Sequence, residues 1–109
     1  MGRGPSSDRG ALMGKPVESH PEAVEEARAA REWYAERSPQ AAEAFVAELD
    51  RAIEKIAEAP GRWPTHLHGT RRVLLRRFPF LVVYRERKDV VQVIAVAHGR
   101  RRPGYWRGR

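Results

Sequence analysis

The chain has 109 residues and a formal net charge of +7, and its length fits one domain with a modest core. Its hydrophobic fraction of 41% and its charged fraction of 32% are typical of a compact domain with a highly charged surface and argue against a disordered chain. The absence of cysteine excludes disulfides, thiolate metal sites and a cysteine nucleophile.

Residues 1–16 are rich in Gly, Pro, Ser and Arg, a composition typical of a flexible arm. Met13 lies just before the first segment with an ordered pattern, so we expect that translation can start there and that residues 1–12 are a start-site or cloning artefact. The arm lacks the apolar segment of a secretory signal, and no apolar run approaches the roughly 20 residues that span a bilayer. We therefore expect a cytoplasmic protein without a membrane role, folded over residues 17–109.

A first helix is predicted from about Glu22 to Arg37. Proline suits the first helical position, and the acidic residues after Pro21 favour the positive end of the helix dipole. The apolar stripe of this helix is predicted to contain Val24, Ala27 and Tyr34, with Arg31 laying its aliphatic stem over the same surface and Ala23 and Ala30 beside them.

A second helix is predicted to follow directly, with Ser38 as its N-cap and Pro39 as its first residue. It stops at the sequence Ala59-Pro60-Gly61. Its apolar stripe consists of Ala42, Phe45, Leu49, Ala52, Ile53 and Ile56. Because the break between the two helices is so short, we expect them to lie antiparallel as a hairpin.

Three strands are predicted in the second half of the chain, at residues 73–75, 80–84 and 90–96, where apolar, β-branched and aromatic residues cluster between turn signals. Short connections favour an antiparallel meander, and Val17–Ser19 can add a short edge strand. The fold class is therefore α+β, with an N-terminal helical hairpin packed on a small antiparallel β-sheet. We expect the other sheet face to be left to water or to a partner.

Charge is distributed unevenly along the chain. Residues 17–59 hold five basic and eleven acidic residues, whereas residues 60–109 hold thirteen basic and two acidic residues. A basic half of this kind attracts polyanions or an acidic protein. Most of its cations are arginines, whose planar guanidinium groups bind phosphates and carboxylates in a bidentate way.

The order of these elements and several local motifs resemble the RelE/ParE toxin superfamily over about residues 17–107. The motifs are His20-Pro21-Glu22-Ala23, the break at Ser38-Pro39, Ala59-Pro60-Gly61, Val82-Val83-Tyr84-Arg85, and Val96-Ala97-His98-Gly99-Arg100-Arg101-Arg102-Pro103-Gly104-Tyr105-Trp106. The last motif is the most specific, and it is similar to the ParE-like branch. The resemblance implies a toxin of a type II toxin–antitoxin system that is neutralised by an acidic cognate antitoxin, with no cofactor.

The superfamily contains two kinds of toxin, so the resemblance leaves two functions open: inhibition of DNA gyrase by binding, and cleavage of mRNA on the ribosome. For cleavage, the resemblance and the charge pattern indicate His98, Arg85, Arg101 and Tyr105 as catalytic residues. His98 is the side chain among them with an ordinary pKa near neutrality, and the arginines would stabilise phosphate charge. A third possibility is a basic module that binds nucleic acid through phosphate contacts and stacking.

The gyrase inhibitor is the favoured interpretation, because the tail resembles ParE and the sequence offers few general bases. The residues expected to bind the target or the antitoxin are Arg72, Arg76, Arg85, Arg100, Arg101, Arg102, Tyr105 and Trp106. Structural roles remain open for several of them, since Tyr105 and Trp106 can simply pack the tail back on the helices. We expect no metal site, because His66 and His68 have no third ligand nearby.

Overall fold

The computed structural model describes residues 14–109. The expected start at Met13 and the expected flexible arm as far as residue 13 lie outside the described residues. Within the rest of that arm, the Lys15 amide donates to the Ala57 carbonyl at 3.3 Å, and the Pro16 carbonyl accepts from the Val91 amide at 2.9 Å. Lys15 and Pro16 are therefore hydrogen-bonded to the rest of the domain.

Besides two short 3-10 helices at Pro60–Arg62 and Leu67–Gly69, residues 14–109 form two α-helices and five strands. They are β1 (Val17–Ser19), α1 (Pro21–Arg37), α2 (Pro39–Glu58), β2 (Thr65–His66), β3 (Thr70–Leu74), β4 (Phe80–Glu86) and β5 (Val91–His98). The strands form one sheet in the order β1-β5-β4-β3-β2, in which β1 runs parallel to β5 and the other pairs are antiparallel. The predicted α+β fold, with a helical hairpin on a small sheet, is confirmed. Strand β2 was not predicted.

Local capping explains where the helices begin. The His20 side chain accepts from the Glu22 amide at 3.1 Å, and the Ser38 hydroxyl accepts from the Ala41 amide at 3.2 Å. Each cap is followed by a proline. Proline has no backbone N–H, but at the first helical position this group would have no partner within the helix, so no hydrogen bond is lost. The predicted hairpin with its break at Ser38 is therefore confirmed.

The buried stripe of α1 differs from the predicted one. It consists of Ala23, Ala27, Ala30 and Tyr34, whereas Val24 is 56% exposed and Arg31 points to solvent. Small side chains let the helix axis approach the sheet closely, and this close packing outweighs the greater hydrophobicity of valine. The stripe of α2 lies where it was predicted, with the buried Glu48 as an additional member.

A β-bulge in the pairing of β4 with β5 decides which side chains face the helices. Val83 pairs with Ala95 and Tyr84 pairs with Val93, so Ile94 is an extra residue in β5. The bulge shifts the alternation by one residue. Consequently Val96 faces the helical hairpin, and His98, two residues further on, lies on the same side of the sheet.

The opposite face of the sheet is partly covered by the tail, which we define as residues 99–109. Trp106 is 2% exposed and packs with Val83, Ile94 and Ala95 in a second apolar cluster. The expectation that this face is left to water or to a partner is therefore wrong for the region beneath the tail. Sequence periodicity did not predict this, but the alternative that the aromatic residues pack the tail back on the domain holds for Trp106, which packs on the sheet and not on the helices.

Candidate functional site

The tail carries five arginines, of which Arg100, Arg101, Arg102 and Arg107 are exposed. Its backbone is a series of turns, with bonds from the Tyr105 amide to the Arg102 carbonyl and from the Arg107 amide to the Gly104 carbonyl. A chain of turns has little intrinsic rigidity, so its conformation depends on contacts with the rest of the domain.

Glu26 of α1 provides the polar part of those contacts. Its carboxylate accepts the Tyr105 hydroxyl at 2.7 Å and both terminal nitrogens of Arg109 at 2.9 and 3.0 Å. It also accepts the backbone N–H of Val96 in β5 at 3.0 Å. The side chains of Glu26 and Arg109 are only 16% and 15% exposed, so this ion pair is shielded from solvent. We call the contacts among Glu26, Tyr105, Arg109 and Val96 the tail clasp.

The Tyr105 ring lies near two guanidinium groups. The Cζ atom of Arg101 is 3.8 Å from the ring centroid, and that of Arg109 is 5.1 Å from it. Burial raises the pKa of the Tyr105 phenol well above its ordinary value, and the hydrogen bond to Glu26 raises it further. The phenol therefore stays protonated near neutral pH and serves as a hydrogen-bond donor to Glu26.

An open groove of about 440 Å³ runs between α1 and the end of β5. Ala30, Trp33, Tyr34, Phe80 and Val96 give it an apolar lining, and Glu26, His98 and Arg101 also border it. Trp33 is 52% exposed, and the Cζ atom of Arg37 lies 3.6 Å from the Trp33 ring. The groove thus combines exposed aromatic surface with nearby cations, as a partner with apolar and acidic side chains requires.

His98 lies at the border of the groove, and its Nδ1 atom is already used. Nδ1 accepts the Arg100 amide at 3.0 Å, and the imidazole ring packs edge-on against Phe80 with 5.1 Å between centroids. An accepting Nδ1 places the proton of the neutral ring on Nε2. In this tautomer the imidazole fixes the first turn of the tail.

Of the four candidate catalytic residues, the structure brings His98, Arg101 and Tyr105 near one another and leaves Arg85 apart. His98 pairs with Phe80 across the β4–β5 ladder, whereas Arg85 pairs with Gln92. Five residues along β4 separate these pairs, which corresponds to roughly 17 Å, and an odd separation puts Arg85 on the opposite face from Phe80. Arg101 and Tyr105 are in contact with one another, near His98 and far from Arg85.

Arg72 lies on the face that the tail covers. It pairs with Val83, and its Nε atom is buried without a hydrogen-bond partner among the described residues. His66 of β2 packs on Trp106 with 5.2 Å between ring centroids. Burial lowers the pKa of His66, and the charges of Arg72 and His68 lower it further. In residues 14–109, no group of three or more His, Cys, Asp or Glu residues is arranged to hold a metal ion.

Arg76 lies in the turn between β3 and β4, which Glu48 of α2 holds in place. The Glu48 carboxylate accepts the backbone N–H groups of Arg76 and Arg77, the second at 3.2 Å, and it is 3.3 Å from the Nε atom of Arg77. Burial alone would raise the pKa of Glu48, but these hydrogen bonds outweigh it and hold the pKa below its ordinary value. The two arginine side chains remain exposed.

Sequence reasoning assigned no role of this kind to Glu26 or Glu48, although a signal was present. Glu26 lies three residues after Ala23 and four before Ala30, and Glu48 lies three after Phe45 and four before Ala52. Both glutamates therefore sit on the buried stripe of their helix. A carboxylate at such a position needs buried hydrogen-bond donors, and these come from the arginine-rich half of the chain. No comparable pattern in the sequence marked Trp33 as a residue of the groove.

Comparisons with known proteins were made on the sequence and on the fold. A family model described as the ParE toxin of the type II toxin–antitoxin system, parDE, matches residues 17–103. A solved structure titled "Chromosomal ParDE TA system from P. aeruginosa" is similar with a TM-score of 0.69, covering 79% of this chain and 97% of that chain at 17% identity. A comparison with curated protein sequences gives no significant match. Among the described residues, neither helix is long and apolar enough to cross a membrane.

Proposed function

Because the chain belongs to the ParE toxin family of type II toxin–antitoxin systems, we propose that it arrests growth by binding an essential target, DNA gyrase, and does not cleave mRNA. It is the toxin component of such a system, and an antitoxin is its partner. The choice of target is the part that we add, and it rests on the arrangement of the candidate catalytic residues.

The state of those residues carries the proposal: Arg85 lies apart from the other three, and the His98 Nδ1 atom and the Tyr105 hydroxyl are already engaged in hydrogen bonds. Cleavage by the RNA 2′-hydroxyl needs a base, a stabiliser of phosphate charge and an acid within a few ångströms of one phosphate. Here Arg85 lies on the opposite sheet face from His98, and the Tyr105 hydroxyl is donated to Glu26. The remaining exposed arginines carry permanent charge, so they bind anionic surfaces well but do not exchange protons.

We assign target binding to the exposed arginines of the tail, Arg100, Arg101 and Arg102, with Arg76 and Arg85 as further contacts. Tyr105 and Trp106 act indirectly in this proposal, since Tyr105 is held in the tail clasp and Trp106 is 2% exposed. Arg72 also acts indirectly, because it is partly buried on the face that the tail covers.

Purified protein separates the two toxic functions directly. We expect it to inhibit gyrase supercoiling in a dose-dependent way while mRNA on translating ribosomes stays intact. Codon-specific cuts in translated mRNA, with supercoiling unaffected, would instead favour the ribonuclease. Retardation of single-stranded nucleic acid with neither effect would favour the nucleic-acid-binding module.

We further propose that the groove between α1 and β5 receives an acidic, amphipathic segment of the antitoxin. The groove offers the exposed Trp33 ring and the partly buried Phe80 ring as apolar contacts, and Arg37 and Arg101 as cations beside them. Its volume suits a few apolar side chains, while carboxylates on the same segment can pair with the two arginines.

The test of this docking site compares two exposed apolar residues of the same helix. Trp33→Ala should weaken binding of the cognate antitoxin about tenfold or more, since large aromatic side chains dominate interface energies. Val24→Ala is the matched control, because Val24 is equally exposed but is not among the groove residues. Equal dissociation constants for the two variants in calorimetric titrations would exclude the groove as the docking site.

A further inference from the structure

We infer that Glu26 is a positioning residue, whose carboxylate sets the conformation in which the arginine-rich tail meets the target. This inference rests on the proposed function as an inhibitor that binds through the tail. Among the described residues, no ion pair joins Glu26 to the exposed arginines of the tail. Glu26 acts on these arginines through Tyr105 and Arg109.

The carboxylate joins three separate parts of the fold. It belongs to α1, it accepts the Val96 amide of β5, and it accepts side-chain donors of Tyr105 and Arg109 from the tail. Four charge-assisted hydrogen bonds on one carboxylate use nearly its whole accepting capacity. Rotation of the Glu26 side chain would break all of them together, so the orientation of Tyr105 and Arg109 depends on this one group.

The tail clasp occupies an unpaired part of the sheet edge. Strand β1 pairs only with Val91 to Val93, so on the side away from β4 the rest of β5 has no neighbouring strand among the described residues. There the Val96 amide is taken by Glu26, and the Ile94 carbonyl accepts the Arg109 guanidinium at 3.1 Å. Glu26 and Arg109 together form hydrogen bonds with two backbone groups of β5 that would otherwise be free to pair with another strand.

Tyr105 transmits this position to the exposed arginines. Its hydroxyl is fixed by Glu26, and its ring stacks against Arg101 with 3.8 Å from Cζ to the centroid. Between these residues the backbone turns at Gly104, which has a φ of +85° and lies so close to the His68 imidazole that a Cβ atom would be 3.1 Å from Nε2. Because the turns themselves have little intrinsic rigidity, the direction of Arg101 depends on its contact with the Tyr105 ring.

Retention of the tail depends mainly on apolar burial, whereas orientation of the tail depends mainly on the Glu26 hydrogen bonds. Trp106 holds the tail to the sheet by apolar burial with Val83, Ile94 and Ala95, and none of these residues takes part in the Glu26 hydrogen bonds. Loss of the Glu26 charge should leave Trp106 in place and free the residues on either side of it. This separation makes a positioning role distinguishable from a general contribution to folding.

The first experiment compares Glu26→Gln with Glu25→Gln in the full chain. Glu25 is the matched control, because it is the neighbouring glutamate of the same helix but is 58% exposed and ion-paired with Arg28 on the surface. We expect Glu26→Gln to raise the concentration for half-inhibition of gyrase about tenfold, the loss appropriate to one or two charge-assisted bonds, and Glu25→Gln to change it less than about twofold. Equal inhibition by the two variants would overturn the inference.

Amide hydrogen exchange supplies a readout that a purely structural role would not give. In Glu26→Gln the amides of Tyr105, Arg107 and Arg109, which are bonded within the tail, should exchange about tenfold faster. Protection of α2 and β4 should stay within about twofold of the unsubstituted chain. Loss of protection throughout the domain would show a folding role and would also overturn the inference.

Substitution of Arg109 tests the other side of the ion pair. Arg109→Lys keeps the charge and should lose less inhibition than Arg109→Met, and combining Glu26→Gln with Arg109→Met should cost no more than the larger single effect. The same variants are compared in a growth-arrest assay. If the unsubstituted chain arrests growth without inhibiting gyrase, the proposed target is wrong. The inference about Glu26 is then tested by growth arrest alone: weaker arrest by Glu26→Gln than by Glu25→Gln supports it, and equal arrest overturns it.

Discussion

Each helix of the hairpin contributes one shielded glutamate that holds an arginine-bearing segment, but the two glutamates hold different groups. Glu48 of α2 accepts two backbone N–H groups of the β3–β4 turn, which leaves the side chains of Arg76 and Arg77 exposed. Glu26 of α1 accepts mainly side chains, those of Tyr105 and Arg109.

The difference separates a contact that fixes the fold from one that fixes a surface. Backbone N–H groups that lose their acceptor remain where the chain path puts them, so the loss of Glu48 leaves them unsatisfied. Side chains that lose their acceptor can turn to water, so the loss of Glu26 mainly frees the tail. Substitutions of the two glutamates test this contrast, and the largest loss of stability is expected for Glu48.

Glu48→Ala should lower the free energy of unfolding by about 3 kcal/mol, because it removes a carboxylate that accepts two backbone N–H groups and leaves these without a partner. Urea denaturation followed by circular dichroism measures the change. Glu43→Ala, at an exposed position of the same helix, is the control and should change stability by less than about 0.5 kcal/mol. Equal stability of the two variants would mean that Glu48 contributes nothing specific.

Glu26→Ala should cost less, about 1 to 2 kcal/mol, because Tyr105 and Arg109 can be solvated once the tail moves, and only the Val96 amide remains fixed. The same denaturation experiment compares it with Glu48→Ala. If Glu26→Ala were the more destabilising of the two, the contrast between a fold contact and a surface contact would be reversed.

The stability of the protein at low pH should depend on the charge of Glu48. Its pKa in the folded protein lies below the ordinary value of 4.5, so the unfolded chain binds the proton more readily. The stabilisation is therefore fully present above the unfolded pKa and is lost as the pH falls from about 5 through the folded pKa. Melting temperatures between pH 3 and 7 should fall less steeply for Glu48→Gln than for the unsubstituted chain, and parallel profiles would contradict the assigned pKa shift.

The sequence predicted those features of the fold that depend on neighbouring residues in the chain. Both helix starts were predictable, because a capping side chain at residue 20 or 38 and the proline after it act within one turn. The apolar stripe of α1 was predicted in part: Ala27 and Tyr34 lie on it as expected, but Ala23 is buried where Val24 was expected. Close packing of the helix on the sheet favours the smaller side chain. Burial there is decided by the partner surface, which the sequence of the helix does not describe.

The candidate site was less predictable, because it depends on contacts between distant residues. The bulge at Ile94 turns His98 toward the helices, and no pattern in the strand sequence marks it. The residues of the tail were recognised as a group, but the partner of Tyr105 lies 79 residues earlier in the chain. The sequence showed only that Glu26 lies on a buried stripe, and it did not show which groups donate hydrogen bonds to its carboxylate.

The smallest change in stability is expected when exposed arginines are removed, and here the two segments should differ in binding. Arg100→Ala with Arg101→Ala removes two charges from the tail, and Arg76→Ala with Arg77→Ala removes two from the turn that Glu48 holds. Each pair should change the free energy of unfolding by less than about 1 kcal/mol, because all four side chains are exposed.

Since both double variants lose the same net charge, any long-range attraction to an anionic target falls about equally, and a difference between them reports direct contact. We expect the tail pair to weaken gyrase inhibition more than the turn pair, and the gap to persist at raised salt, where long-range attraction is screened but contacts are retained. Equal losses that both disappear at raised salt would show that the target senses only overall charge. The conformation fixed by Glu26 would then have no bearing on inhibition, and the two glutamates would differ only in how much they stabilise the fold.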